Sequence, residues 1–444
     1  MPIEPTCESI VIEPSRPAAT RPPMTRGAAR LALMALLGAG LFACAHSSGN
    51  ETAAAPAATP ATPPAAAAAA PAAAAAAPAL PPILPFDEAV ASAANKVFSS
   101  APEGSHPVVI DPLVDGVTGY VSNATEGIGT RVADLVQKQY PRFSVEKFTP
   151  ESLNGSPLVL VGTFTPVNGK NQTAGPREAY RFCLVLGDLK TGKIVAKGVA
   201  RAQLAGVDAT PTKVFRDSPA WTADPSTDAY IKTCQATKVG DPISKDFLDG
   251  LLGASLVTQA DSAYNADKYK AALDLYDAAK KTPAGDQLRV YNGIYLSHYR
   301  LHQNAEAATA FGDVANYGLR HNRLAVKFLF EPGSTQFYRD PQISGQYATW
   351  LQQIGLQAEK TGSCIEVTGH TSPTGSPALN ERLSFLRADY VKGRLEHDAP
   401  QLKNHLVTNG VGSAQTLVGT GKDDASDALD RRVELKPIAS CAQS

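Results

Sequence analysis

The chain carries no excess charge of either sign: 41 Lys and Arg against 42 Asp and Glu leave a formal net charge of -1 over 444 residues. A nucleic-acid binder needs a basic face, so that class finds no support, and composition alone names no charged partner. Long apolar runs are missing as well. The longest, Leu31 to Phe42, falls well short of the roughly 20 residues that a spanning helix requires. Catalytic signatures are absent in turn: there is no G-x-S-x-G elbow, no H-E-x-x-H helix and no G-x-x-x-x-G-K-[ST] loop. Gly419-Thr420-Gly421-Lys422 fails as a phosphate loop because Thr416 stands where the first glycine belongs. No enzymatic activity and no cofactor are expected.

The N-terminus is more informative. The basic stretch Met24-Thr25-Arg26-Gly27-Ala28-Ala29-Arg30 precedes the apolar run, which ends in Leu41-Phe42-Ala43-Cys44. That layout is a secretory signal. Its last four residues resemble the lipobox of bacterial lipoproteins, in which the cysteine becomes the acylated first residue; Phe42 is bulkier than the small residue usual there. An ordinary signal peptide with a chance cysteine is the alternative. Residues before Met24 include Glu4, Glu8 and Glu13 and suit no basic leader, so Met24 is the expected start and 1–43 a spurious extension plus signal peptide. By the same resemblance, Cys44 carries lipid (palmitate among its acyl chains), and Ala45, not Asp, beside it implies the outer membrane, with the body facing the periplasm.

Of six cysteines, Cys7 and Cys44 are then set aside. The remaining four, in a periplasmic chain, favour disulfides over metal ligation, and none has zinc-site spacing or a histidine nearby. Pairing within domains would give Cys183–Cys234 and Cys364–Cys441.

A multidomain α/β organisation follows. Residues 44–82 are the lipidated cysteine and a tether of Ala, Pro, Thr and Ser whose alanine runs are broken by Pro64, Pro71 and Pro78. Fully extended, it reaches on the order of 120 Å. Residues 83–245 read as an α/β domain. Helical spacing marks Asp87–Phe98 and Glu126–Tyr140; strands are expected at His106–Leu113, Phe143–Phe148 and Leu158–Phe164; Tyr180–Leu186 and Lys193–Ala202 flank a turn at Asp188–Gly192. The phrases Val159-Leu160-Val161-Gly162-Thr163-Phe164 and Asp188-Leu189-Lys190-Thr191-Gly192 resemble a family of periplasmic lipoprotein domains found in curli secretion, flagella and activation of penicillin-binding proteins. That resemblance implies an interaction domain.

Residues 246–320 are helical with an internal repeat of 35 residues: Ala272 maps to Ala307, Tyr276 to Phe311 and Ala279 to Val314. The pattern resembles tetratricopeptide repeats, although an ordinary bundle with aromatic core positions would show it too. Two such repeats bury little alone, so they are expected to pack on a neighbour.

Residues 321–444 carry the most specific pattern. Strands are expected at Ala325–Phe330, Cys364–Thr371, Gln415–Val418 and Arg432–Leu435. Two helices are expected between them, one lined by Ile343, Tyr347, Leu351 and Ile354, the other by Leu379, Leu383, Leu386, Tyr390 and Leu395, in the order βαβαββ. Gly369-His370-Thr371, then Asn380-Glu381-Arg382-Leu383-Ser384-Phe385-Leu386-Arg387-Ala388, then Arg431-Arg432-Val433-Glu434 resemble the C-terminal domain of outer membrane protein A. The resemblance implies binding of the diaminopimelate stem peptide of peptidoglycan through Thr371, Ser372, Asn380, Leu383, Arg387 and Arg432. In that family an aspartate follows the "GHT" and grips the ligand ammonium while the arginine takes the carboxylate. Here the aspartate position is Ser372, which weakens the implied binding. His370 could be read as a general base, but suits a structural place in the turn better. Asp423, Asp424 and Asp427 would supply the missing charge or form a plain solvated loop.

Two roles stay open on this reading. The chain either links the outer membrane to peptidoglycan while scaffolding an envelope assembly, or its C-terminal domain has lost wall binding and docks a protein partner of a secretion, flagellar or wall-synthesis complex. In both, Cys44 is the mature N-terminus. Mass spectrometry of protein purified from membranes should show lipid on Cys44 and nothing before it, and Cys44→Ser should move the protein to the soluble fraction; residues preceding Cys44 in the mature protein would overturn this.

Overall fold

The computed structural model describes residues 80–441, except 174, 176, 332 and 423–426. Cys44, the tether through residue 79, Asp423 and Asp424 lie outside the described residues.

Long β-branched and aromatic runs between residues 83 and 202 build a mixed seven-stranded sheet. Its strands are β1 (Ile83–Leu84), β2 (His106–Ile110), β3 (Val114–Asp115), β4 (Phe143–Glu146), β5 (Leu158–Val167), β6 (Ala179–Asp188) and β7 (Lys193–Ala202). They lie in the order β1-β7-β6-β5-β2-β4, with β3 beside the far end of β5. β5, β6 and β7 are an antiparallel meander, and the other pairings are parallel. The turn joining β6 to β7 is shaped by Asp188, whose carboxylate accepts from the Lys190 N–H at 2.8 Å and the Thr191 hydroxyl at 2.8 Å.

Every residue of β5 is buried, which explains its unbroken apolar run: the sheet is covered on both faces. One cover is α1 (Phe86–Ser100) and α2 (Asn123–Gln139), whose Ala89, Val97, Ile128 and Val132 pack on Leu160, Phe182 and Leu184. After a short α3 (Pro150–Leu153), the second cover comes from the segments that follow the sheet: α4 (Lys213–Asp217), β8 (Ala220–Trp221), α5 (Pro225–Gln235) and α6 (Lys245–Asn265).

Four helices, α6, α7 (Tyr269–Lys280), α8 (Leu288–Arg300) and α9 (Asn304–Arg320), pack each on the next. All six positions of the 35-residue repeat, from Ala272 to Val314, are buried. Their small-against-large logic is visible at Gly293, where a Cβ would sit 2.3 Å from the Tyr276 ring, so α8 lays bare backbone against that ring.

The C-terminal segment forms β9 (Leu324–Val326), α10 (Pro341–Ser344), α11 (Tyr347–Thr361), β10 (Cys364–Gly369), α12 (Pro377–Asp398), β11 (Leu406–Gly410) and β12 (Val433–Ile438). The second sheet runs β11-β10-β12-β9-β8. The long elements β9, α11, β10, α12, β11 and β12 keep the expected βαβαββ order, but two strands differ from expectation. Gln415–Val418 is not a strand, because the Leu417 and Val418 N–H groups are drawn to the Asp430 carboxylate at 2.6 and 2.9 Å and not to a ladder. The third strand is Leu406–Gly410 instead, parallel to β10. The first strand stops at Val326, short of the expected Phe330.

Sequence reading also missed β8. This two-residue strand lies at 220–221, yet it pairs antiparallel with β9 and forms the edge of the second sheet. Trp221 is 7 % exposed, donates from its indole N–H to the Thr118 carbonyl at 3.0 Å and receives the Arg323 guanidinium over its ring at 5.2 Å. Asp224 reinforces the join, accepting from the Leu288 N–H at 2.7 Å and the Tyr317 hydroxyl at 2.8 Å, which ties the start of α5 to α8 and α9. One apolar cluster accordingly runs from Val109 to Leu435.

Cys183 is joined to Cys234 with Cα atoms 6.0 Å apart, and Cys364 to Cys441 at 5.4 Å. Both separations suit a bridge without backbone movement. Trp221→Ala should lower the unfolding free energy by about 3–5 kcal/mol, the usual cost of emptying a buried tryptophan site. Urea denaturation checks this; a loss below about 1 kcal/mol would mean that β8 does not hold the two sheets together.

Candidate functional site

The start of α12 shapes the site. Pro377 begins the helix with its fixed φ, and the Ser376 hydroxyl caps it, accepting from the Leu379 N–H at 3.4 Å. Just before it, the turn 371–375 reverses at Gly375 (φ 93°). Asn380, one helical turn in, reaches back and donates from its amide to the Thr374 carbonyl at 2.9 Å and to the Ser372 carbonyl at 3.5 Å. Helix and turn thereby become one rigid unit.

The buried face of α12 is Asn380, Ser384, Ala388, Val391 and Leu395. This corrects the expected face of Leu379, Leu383, Leu386, Tyr390 and Leu395 in part: Leu395 is buried, but Leu379 is 60 % exposed and Leu386 40 %. The reason is closeness. A Cβ on Gly369 would lie 2.0 Å from the Ser384 carbonyl oxygen, and one on Gly410 2.4 Å from the Phe385 nitrogen. Only small residues fit under the first turns of a helix that near, so Leu379 and Leu386 stand outside the contact. Ser384 uses its hydroxyl to receive the Gly412 N–H at 2.9 Å, fixing the end of β11 as well.

The result is a cleft of about 610 Å³ between α12, the 371–375 turn and the segment 328–343. It gathers Thr371, Ser372, Asn380, Leu383 and Arg387, five of the six residues expected from sequence. Ser372 is 5 % exposed, with its hydroxyl 3.2 Å from that of Thr374. Arg387 is steered by its wall: its Nε donates to the Ser334 carbonyl at 3.2 Å, and its guanidinium stands 4.8 Å from the Phe330 ring centre. A planar cation held this way offers a fork to a carboxylate.

Arg432 is not in the cleft. Its side chain is fully buried, with Nε donating to Glu434 at 2.7 Å and terminal nitrogens to the carbonyls of Leu429 at 3.3 Å and Gln415 at 3.1 Å. Its neighbour Arg431 lines the cleft instead. An Arg-Arg pair entering a strand sends its members to opposite sides, and sequence alone does not tell which goes in. Phe330, Tyr338 and Ile343, also in the lining, escaped notice because the expected strand and helix assigned Phe330 and Ile343 to a core.

Below the cleft sits a buried ionic cluster. Glu434 receives Arg432 and, at 2.5 Å, Arg323, and lies 3.4 Å from His370 Nε2. Burial pushes the Glu434 carboxyl up, but His370 and the two guanidiniums outweigh it and hold it well below the usual carboxylate range. Burial in turn pushes His370 down, and at 2 % exposure it has no access to a substrate. Its place is structural. Asp427 and Asp430 are also fully buried. Asp430 receives three backbone N–H groups, of Leu417, Val418 and Gly419, and Asp427 receives those of Thr420 at 2.6 Å and Lys422 at 3.1 Å. Asp427 therefore belongs to no solvated acidic loop; its charge organises the backbone. Among the described residues no cluster of three potential metal ligands occurs, and no helix is long and apolar enough to cross a membrane.

The sequence matches no family model and no curated protein. Solved structures similar to part of it include an outer membrane protein from Borrelia burgdorferi B31 (24 % identity, 26 % of this chain and 88 % of that one, TM-score 0.21). The peptidoglycan-associated lipoprotein from Burkholderia pseudomallei is similar at 25 % identity over 25 % of this chain and 87 % of its own, with a TM-score of 0.22. The cell wall anchor of the T6SS from Pseudomonas aeruginosa is similar at 21 % identity over 27 % and 81 %, with a TM-score of 0.22. At TM-scores this low none of the three bears on function here.

Glu434→Gln should cost about 3–5 kcal/mol at neutral pH, since it leaves Arg432 buried without its anion. A carboxylate held low contributes stability that is complete above its unfolded pKa of about 4.3 and drains away as pH falls below it. The gap between wild type and variant in urea denaturation should therefore shrink steadily below about pH 4; an unchanged gap at lower pH would contradict the electrostatic account.

Proposed function

We propose that this chain is a lipid-anchored lipoprotein of the outer membrane, facing the periplasm, whose C-terminal domain (321–444) holds peptidoglycan non-covalently while the preceding parts scaffold an envelope protein assembly. The observation that carries the reading is the cleft, which assembles Thr371, Ser372, Asn380, Leu383 and Arg387 from two separate sequence phrases into one concave site. Those phrases are the ones that resemble the C-terminal domain of outer membrane protein A.

The ligand chemistry follows from that site. The free end of diaminopimelate presents a carboxylate and an ammonium on one carbon. Arg387 takes the carboxylate as a fork. Ser372 offers the ammonium a hydroxyl in place of an aspartate, which forgoes a charge-assisted bond worth on the order of 1.5–3 kcal/mol, or about ten- to over a hundredfold in affinity. Wall binding on this reading is real but weak, and the lipid on Cys44 supplies the permanent attachment. Residues 246–320 act as tetratricopeptide-like repeats and 83–245 as an interaction domain, with Cys183–Cys234 and Cys364–Cys441 as stabilising bridges in an oxidising compartment.

A second reading has its own observation. Leu379, Phe385 and Leu386 stand exposed along α12, with Leu379 in the cleft itself. Such a face beside an uncharged Ser372 would suit docking of a protein partner in place of the wall.

Sedimentation with purified sacculi separates the two, using the whole chain because β8 lies outside residues 321–444. Ser372→Asp should bind best, wild type about ten- to a hundredfold more weakly, and Arg387→Ala least. Equal binding by all three, or none by Ser372→Asp, would refute a wall site and leave the docking reading.

A further inference from the structure

A second cavity, of about 370 Å³, lies where the first sheet meets the helical repeat and shares no lining residue with the cleft. It is bounded by the end of β2, by α2 and α4, and by α6 and α8. Two of its polar side chains carry sealed atoms without a hydrogen-bond partner. Arg289, from α8, is half-buried; its Nε is sealed from solvent without a hydrogen-bond partner, and among the described residues it enters no ion pair. Thr212 is 5 % exposed and its hydroxyl is likewise without a partner. Asp111 and Asp261 both feel the charge of Arg289, but neither forms an ion pair with it, and its planar fork matches a carboxylate.

Anionic groups stand across from it. Asp261, from α6, is held by the Tyr276 hydroxyl at 2.5 Å; burial pushes its carboxyl up to about 6, against the pull of Arg289 and Tyr276. Glu126, from α2, stands at the exposed rim. The rest of the wall combines an apolar patch of Ile110, Leu113, Val121 and Phe215 with hydroxyl and amide groups, among them Thr258 and Asn265. One cation, two carboxylates on the other helices and an apolar patch fit a ligand that carries both charges on a small hydrophobic body. The volume lies at the small end of natural ligand sites.

We propose that this cavity binds a small organic zwitterion of the amino-acid class, its carboxylate on Arg289, its ammonium between Asp261 and Glu126, and its side chain against the apolar wall. The proposal does not depend on wall binding at the cleft. Gly129 offers an unusually clean control: it lines the cavity from α2, and a Cβ placed there meets nothing within 4 Å. A larger side chain at this position enters the cavity and replaces a mid-helix glycine, a change that favours the helix by up to about 1 kcal/mol.

The test is thermal unfolding and calorimetric titration of the full-length protein with each of the twenty common amino acids and D-alanine in turn. At least one should raise the melting temperature by about 2 °C or more at saturation. Its amine-only and acid-only analogues should each bind about tenfold or more weakly. Arg289→Gln should weaken binding by a similar factor, and Gly129→Leu should abolish it while melting no lower than wild type. The proposal is overturned if none of the amino acids shifts the melting curve, if either single-charge analogue binds as tightly as the zwitterion, or if Gly129→Leu still binds.

Discussion

The approach of α12 to the ends of β10 and β11 governs the C-terminal part of the molecule. Gly369, Gly410 and Gly412 each lie so near the helix backbone that a Cβ would fall 2.0 to 2.8 Å from it. Such contact is possible only where the strand ends are glycine and the helix face is Asn, Ser and Ala. It has two consequences. The helix is pressed down far enough for Asn380 to hold the turn that carries Ser372, and Leu379 and Leu386 are displaced outward. Arg387 then comes to lie over Phe330, on the flank of the cleft and not under the helix. The geometry available to a ligand is thus set by packing, before any charge is considered.

Charge enters one layer down. Three cationic side chains, Arg323, Arg432 and His370 when protonated, converge on Glu434, and two aspartates, Asp427 and Asp430, organise the loop before β12. Burying so many ionisable groups is costly unless each is paired. Here the pairing locks β12, and with it Arg431, against the cleft floor. The same layer reaches outward: Arg323 also covers Trp221 of β8, so the ionic cluster beneath the site touches the strand that joins the two sheets.

Much of this was legible in the sequence, and the failures have physical causes. The meander β5–β6–β7 announced itself by long apolar runs and an Asp-x-x-Thr-Gly turn, and the helical repeat by its 35-residue spacing. The cleft residues were recoverable because the phrases that carry them are local and specific. Gln415–Val418 looked like a strand by composition, but Asp430 offers its N–H groups a better acceptor than a neighbouring strand does. Leu395 turns inward as expected, but Leu379 and Leu386 do not, because a period of 3.6 identifies a stripe without saying which part of it turns inward. β8 could not be foreseen: two residues carry no periodicity, and its partner lies over a hundred residues away. The cavity around Arg289 was equally silent, since its groups come from five elements.

Under the proposed function, the cleft beside Arg387 receives the end of a diaminopimelate stem peptide. Titration of the isotope-labelled protein with an uncrosslinked muropeptide, followed by backbone amide NMR, addresses it directly. The account predicts shifts concentrated in residues 371–375, at Asn380 and around Arg387, with the amides near Arg289 unmoved. Shifts confined to any other surface, or none at concentrations that saturate an aspartate-bearing relative, would contradict it.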